Sequence, residues 1–180
     1  MFRTVFNPEL SRKILFLIII VTMIFTLSCS SDSTDPVVEE DLALIFNPAE
    51  QTIPENTEAD FIIMVENVEN LFAFSAEIVF DNTVAELVQD AVAVGGFWNS
   101  EIVELNVVED DRLSIAISLQ QTTNEDGIDG NGELFTFSIE GLTMGQTNLT
   151  FENLQMIDEN GSEIANFDDI EITNGKLIIE

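Results

Sequence analysis

The chain has no histidine, no tyrosine, one cysteine, four prolines and five basic residues among its 180. Without histidine the commonest general base of enzymes is missing, which weighs against catalysis. A single cysteine excludes an internal disulfide, so the fold must stand on its core alone. Five Lys and Arg against 34 Asp and Glu leave a formal net charge of -29. Such a surface repels phosphates and argues against DNA or RNA as a partner. The bases are also unevenly placed: Arg3, Arg12 and Lys13 lie near the start, so Arg112 and Lys176 serve the whole remainder. What the chain does have is apolar material. Hydrophobic residues make up 46% and there are fourteen Phe, enough for one domain with a proper core and a short appendage.

Arg12 and Lys13 precede an apolar run from Ile14 to Phe25, then Thr26-Leu27-Ser28-Cys29. A basic start, an apolar run of about a dozen residues and small residues after it form a secretory signal. The run is shorter than the roughly 20 residues that span a bilayer. The segment ending at Cys29 resembles the lipobox of bacterial lipoproteins, with Ser28 fitting the position before the cysteine and Thr26 standing where Leu is usual. The resemblance implies a signal peptide over 1–28, lipid attachment at Cys29, secretion across the inner membrane, and anchoring at the outer membrane or cell surface. The alternative is an ordinary signal or signal anchor in which Cys29 is incidental. Residues 29–40, beginning Cys29-Ser30-Ser31-Asp32-Ser33-Thr34-Asp35-Pro36, have no apolar period and predict a polar tether. Residues 41–180 are the folded domain.

Within that domain apolar residues recur with a period of two. Phe72, Phe74, Ala76, Ile78 and Phe80 alternate with Ala73, Ser75, Glu77 and Val79; Leu113, Ile115, Ile117 and Leu119 alternate with Ser114, Ala116 and Ser118. Leu42–Phe46, Phe61–Val65, Glu101–Val108, Leu134–Glu140, Leu149–Leu154 and Ile170–Ile179 continue the series. Each predicts a strand with one buried face. The stretch Phe61–Leu87 is expected to hold two such strands flanking a tight Val-Glu-Asn turn. Turn residues separate the others, including Gly95-Gly96, Asp110-Asp111, Gly127 to Gly132, Asn160-Gly161 and Asn174-Gly175. No window sustains a capped helix, although Thr83–Val94 could hold one loose turn. The expected fold is all-β, a two-sheet sandwich.

Three blocks carry a resemblance. The first runs from Phe61 through Asn67-Val68-Glu69-Asn70-Leu71 to Phe80-Asp81-Asn82-Thr83-Val84-Ala85-Glu86. The second is Arg112 to Ser118 followed by Gly130-Asn131-Gly132-Glu133-Leu134-Phe135-Thr136-Phe137. The third is Gly145 to Phe151, leading to Met156-Ile157-Asp158-Glu159-Asn160-Gly161. In this order they resemble the cohesin modules of cellulosomes. The resemblance implies a jelly-roll sandwich of about nine strands, related to cellulose-binding modules, without catalytic activity. It also implies a dockerin module as partner. One departure is specific: where cellulosomal members place an Asn and an Asp that meet the dockerin's Ser/Thr pair, this chain has Ala73 and Ser75. Neither offers a charge-assisted hydrogen bond.

Four groups of residues are candidate sites. Ala73, Ser75, Glu77 and Val79 form a weakly polar strand face suited to a protein partner, unless loops or the tether cover it. Phe97 and Trp98, after two glycines, are either an aromatic platform for a sugar ring or a plug closing one end of the sandwich. The segment Asn124 to Glu133 is rich in oxygen, with Asp126, Asp129 and Asn131 as candidate Ca²⁺ ligands. EF-hand spacing fails at Ile128, and the alternative is an acidic strand connection. Paired carboxylates such as Asp110-Asp111 and Asp168-Asp169 carry no information in so acidic a chain. The function expected is a non-catalytic binding module of a surface or periplasmic lipoprotein, taking a dockerin-like protein module or a polysaccharide. The alternative is a structural or adhesion lipoprotein with no carbohydrate-related role.

Overall fold

The computed structural model describes residues 41–98, 102–120 and 126–180. The expected signal peptide, Cys29 and the tether lie outside the described residues, as do Asn124 and Glu125. Twelve strands follow in order: β1 (Ala43–Asn47), β2 (Glu50–Ile53), β3 (Glu58–Leu71), β4 (Ala73–Val79), β5 (Ala85–Leu87), β6 (Ala93–Val94), β7 (Ile102–Val108), β8 (Arg112–Leu119), β9 (Ile128–Gly141), β10 (Gly145–Ile157), β11 (Glu171–Thr173) and β12 (Gly175–Ile179). One sheet has the order β11-β1-β3-β9-β5, with β6 also on β9; the other is β2-β12-β10-β4-β8-β7. The strand count exceeds the nine expected. Four of the twelve are short: β2, β5, β6 and β11 hold two to four residues each. Thr83–Val94 holds β5 and β6 rather than a helical turn.

Alternation decides the core. On β3 the buried residues are Ala59, Phe61, Ile63, Val65, Val68 and Leu71; on β4 they are Phe74, Ala76 and Ile78; on β8 they are Leu113, Ile115, Ile117 and Leu119. The two inner faces meet through phenylalanine rings. Within the first sheet Phe46 packs edge-on against Phe61 and Phe137 with centroids 6.0 and 6.3 Å away; across the sheets Phe46 meets Phe151 at 4.8 Å and Phe74 meets Phe135 at 5.9 Å. Among the described residues, the buried hydrophobic side chains from Leu42 to Ile179 form one contiguous core.

The largest correction concerns Phe61–Leu87. There is no hairpin turn at Val-Glu-Asn: β3 continues through it to Leu71 and pairs with β9, while β4 pairs with β8 and β10 in the opposite sheet. The chain stays extended because Asn67 and Asn70 adopt left-handed backbone (φ 55° and 58°) and each absorbs one extra residue as a bulge. Asparagine tolerates that region better than most residues do. The amides freed by the bulges are capped from β9. Asn67 N donates to Asn131 Oδ1 at 2.6 Å, and Asn70 N donates to Asp129 Oδ1 at 2.7 Å. Asn70 Oδ1 in turn accepts the amide of Gly127 at 2.9 Å.

This also corrects the expected loop. Residues 128–133 are strand, and the side-chain oxygens of Asp129 and Asn131 cap the bulges of β3. Asp126 is exposed, and among the described residues no group of three acidic or cysteine side chains is disposed to hold a metal. Asn131→Ala is expected to lower stability by about 1 kcal/mol by orphaning the Asn67 amide, and Phe61→Ala by about 3–5 kcal/mol. Denaturant titration measures both, and added Ca²⁺ should leave either midpoint in place.

Candidate functional site

The outer face of the second sheet is built by the residues that alternate with the core. Register fixes its rows. Val103, Ser118, Ala73 and Ile157 stand side by side across β7, β8, β4 and β10. The next row is Leu105, Ala116, Ser75 and Gln155, and the one after it is Val107, Ser114, Glu77 and Glu152. The first two rows enclose a shallow trough of about 260 Å³, lined almost wholly by carbon because Ala73, Ser75 and Ala116 are short and the β7 side chains stand above them. Val103, Leu105 and Val107 are 59%, 65% and 47% exposed. Apolar residues that a period of two would place inside are here in water, because register sets them beside Ser118, Ala116 and Ser114 on the outward face.

At the other end the face becomes charged. Arg112 Nη1 donates to Glu77 Oε2 at 2.8 Å, and its Nε and Nη2 donate to the two carboxylate oxygens of Asp111 at 3.1 and 3.3 Å. Glu109 lies 3.7 Å from Nε. The guanidinium thus holds the Asp111 carboxyl below its ordinary range, and its own pKa rises through the same contacts. Two other carboxyls are depressed: Asp81 by the hydroxyl and amide of Thr83, and Asp158 by the amides of Ser162 and Asn160. These shifts stabilise charged carboxylates.

Ala73, Ser75, Glu77 and Val79 do share one outward face, and all are half-buried. Ala73 and Ser75 line the trough. Val79 sits beside Arg112 at the charged end and away from the trough. Strands over Glu101–Val108 and Leu149–Leu154 were expected from sequence, but nothing local placed β7 and β10 beside this face. The alternation Val103-Leu105-Val107 was visible, but its exposure follows from the register of β7 on β8, which no local pattern carries.

Phe97 and Trp98 are not a platform. They are 6% and 7% exposed, with rings edge-to-face at 5.5 Å. The reason is a bulge in β9, where Leu134 is the extra residue opposite Ile63 and Met64. Its carbonyl accepts Trp98 Nε1 at 3.0 Å and the amide of Gly95 at 2.9 Å. Close approach demands the glycines: a Cβ on Gly95 would strike the Glu133 carbonyl, and one on Gly132 would meet the Phe97 ring at 2.9 Å. The pair plugs the sandwich, and no aromatic among the described residues is exposed.

No family model matches this sequence, and no curated protein does. Solved structures do resemble it. A non-cellulosomal cohesin from Archaeoglobus fulgidus superposes with a TM-score of 0.62 at 18% identity, over 78% of this chain and 92% of that one. The third ScaC cohesin of Acetivibrio cellulolyticus, in complex with the ScaB dockerin, gives 0.62 at 13% identity over 77% and 98%. A type I cohesin–dockerin complex from Clostridium thermocellum gives 0.62 at 14% identity over 78% and 94%. The chain therefore has the fold of a cohesin module.

Two outcomes are expected. In a carboxyl ¹³C titration, Asp81, Asp111 and Asp158 should protonate at lower pH than unpaired carboxylates. Because their pKa values are depressed on folding, the stability they contribute is present above the ordinary carboxylate value and lost as pH falls through the folded values. Trp98 fluorescence should lie to the blue of exposed tryptophan and stay unchanged on addition of soluble polysaccharide. A sugar-dependent shift would restore the platform.

Proposed function

We propose that this chain is a non-catalytic cohesin-like module that docks a dockerin-like protein on the outer face of its second sheet, and that Cys29 anchors it by lipid at the cell surface or in the periplasm. The observation that carries the docking site is the apolar trough bounded by Leu105, Ala116, Ser75 and Ala73. Solvated sheet faces ordinarily carry polar side chains, and a contiguous apolar surface with a polar rim is the form of a docking site. The fold agrees, since two of the similar cohesins are seen with dockerins.

The chemistry of recognition differs from the family's. Ala73 and Ser75 replace the Asn and Asp that the resemblance implies, so affinity must come from burying apolar side chains in the trough. The rim of Glu77, Glu152, Glu109 and Asp111, with Arg112 already engaged among them, favours a partner with basic residues around an apolar ridge. Such a rim acts mainly on the association rate and register. A polysaccharide ligand is the weaker reading, because stacking on sugar rings calls for exposed aromatics. The basic start, apolar run and lone cysteine of the first 29 residues support the anchor.

Pull-down of residues 39–180 against dockerin-like modules of the same organism tests the docking. Ser75→Arg, which fills the trough centre without touching the core, should weaken capture by about 2 kcal/mol or more, roughly thirtyfold. Undiminished capture would remove this face from consideration, and retention by insoluble glycan alone would favour the carbohydrate reading. Binding to neither would leave the structural or adhesion role. Mass spectrometry of Cys29 from the native host should show an acylated thioether. A free thiol in a detergent-free soluble fraction rules the anchor out.

A further inference from the structure

Edge strands expose unpaired amides and carbonyls, and folded proteins usually blunt them with short strands, lysine or proline. Three of the four sheet edges here are short: β2, β5 and β11 have four, three and three residues. The fourth is β7, with seven residues, Ile-Val-Glu-Leu-Asn-Val-Val, and neither lysine nor proline. No strand pairs with its outer side among the described residues.

The hydrogen-bonding parity of that edge is fixed. Glu109 N donates to Arg112 O at 2.9 Å, in the same register that pairs Leu105 with Ala116. In an antiparallel ladder, residues alternate between bonding one neighbour and the other. Val103, Leu105 and Val107 therefore bond β8, while Ile102, Glu104, Asn106 and Val108 direct their amides and carbonyls outward. An added antiparallel strand must match this parity.

The sequence of β7 is complementary to itself in one such register. Two copies related by a two-fold axis at Leu105 would place Ile102 opposite Val108, Glu104 opposite Asn106, Val103 opposite Val107, and Leu105 opposite Leu105. All seven residues pair. Apolar residues meet apolar ones on the outer face, and each Glu104 carboxylate faces an Asn106 amide that can donate to it. Within one chain Asn106 Nδ2 already donates to Glu104 Oε1 at 2.8 Å, so the groups are matched in chemistry and reach. Sliding the pairing by one step of the same parity sets Glu104 against Glu104 in one direction, and in the other sets Glu104 against Val108.

We infer that β7 is a homodimerisation edge, on which a second copy of this chain adds antiparallel about Leu105 to join the two outer sheets into one. The arrangement is isologous, as a two-fold interface requires. It leaves the trough accessible and brings two troughs onto one continuous surface. It does not depend on the partner proposed above, because Glu104 and Asn106 lie on the side of the sheet away from the trough.

Like charge opposes the association. With a net charge of -29, two copies repel until salt screens them, at a distance of about 10 Å in 0.1 M salt. Sedimentation equilibrium of residues 39–180, which contain the whole core, should show a reversible dimer that tightens as NaCl is raised. Asn106→Glu sets glutamates opposite each other twice across the axis and should weaken it about tenfold. Adding Glu104→Lys to that variant should restore it. Leu105→Cys should cross-link under mild oxidation while Val103→Cys, whose opposite residue is Val107, should not. Circular dichroism on each variant confirms the fold. A monomer at every salt and protein concentration overturns the inference, as does equal cross-linking through both cysteines or an Asn106→Glu variant that dimerises undiminished.

Discussion

Phenylalanine rings buried between two sheets, with no disulfide to tie those sheets together, are the constraint on which the rest of the structure depends. Phe46, Phe61 and Phe137 pack edge-on or stacked at 5.9 to 6.3 Å, and Phe74 with Phe135 bridges the layers. Rings of this size hold the inner faces together by area and geometry. Every strand must then keep its apolar parity toward that layer, and a slip by one residue would send a whole set of rings into water. The outer faces are what remains once parity is satisfied. Their composition is free to serve binding.

Parity could not survive the length of β3 and β9 without bulges. Each long strand absorbs extra residues, through Asn67 and Asn70 on one and Leu134 on the other. These defects are put to use. The freed amides on β3 are capped by Asn131 and Asp129, and the carbonyl freed at Leu134 receives the Trp98 indole. Side chains that a composition-minded reading assigns to calcium or to sugar are thus consumed in keeping two long strands aligned. Asn153, also left-handed, marks a similar shift on β10.

The acidity of the chain acts differently at different depths. Most carboxylates lie in water and confer solubility. On the outer face, by contrast, Arg112 collects Glu77, Asp111 and Glu109 into one fixed charged end beside an apolar trough. A surface so divided orients whatever docks on it, because apolar area supplies affinity without direction and the charged end supplies direction. The same net charge limits how closely two copies of the chain approach.

The class of fold, most of the long strands and the inward set of each were determined by sequence alone, because alternation is a property of the extended backbone and needs no partner to be visible. The order of blocks resembling cohesin modules was legible for the same reason: those blocks are strands with their turns. The face holding Ala73 and Ser75 could be named in advance, as could its departure from the family's recognition pair. Only the tertiary structure decided that β3 and β4 belong to opposite sheets, that Phe97 and Trp98 face inward, and that Asp129 and Asn131 cap bulges. It also decided that Val103, Leu105 and Val107 are exposed. Each of these depends on which strand lies alongside, a contact between residues dozens of positions apart. A period of two states that a strand has two faces; its neighbours determine whether either face, or an edge, meets water.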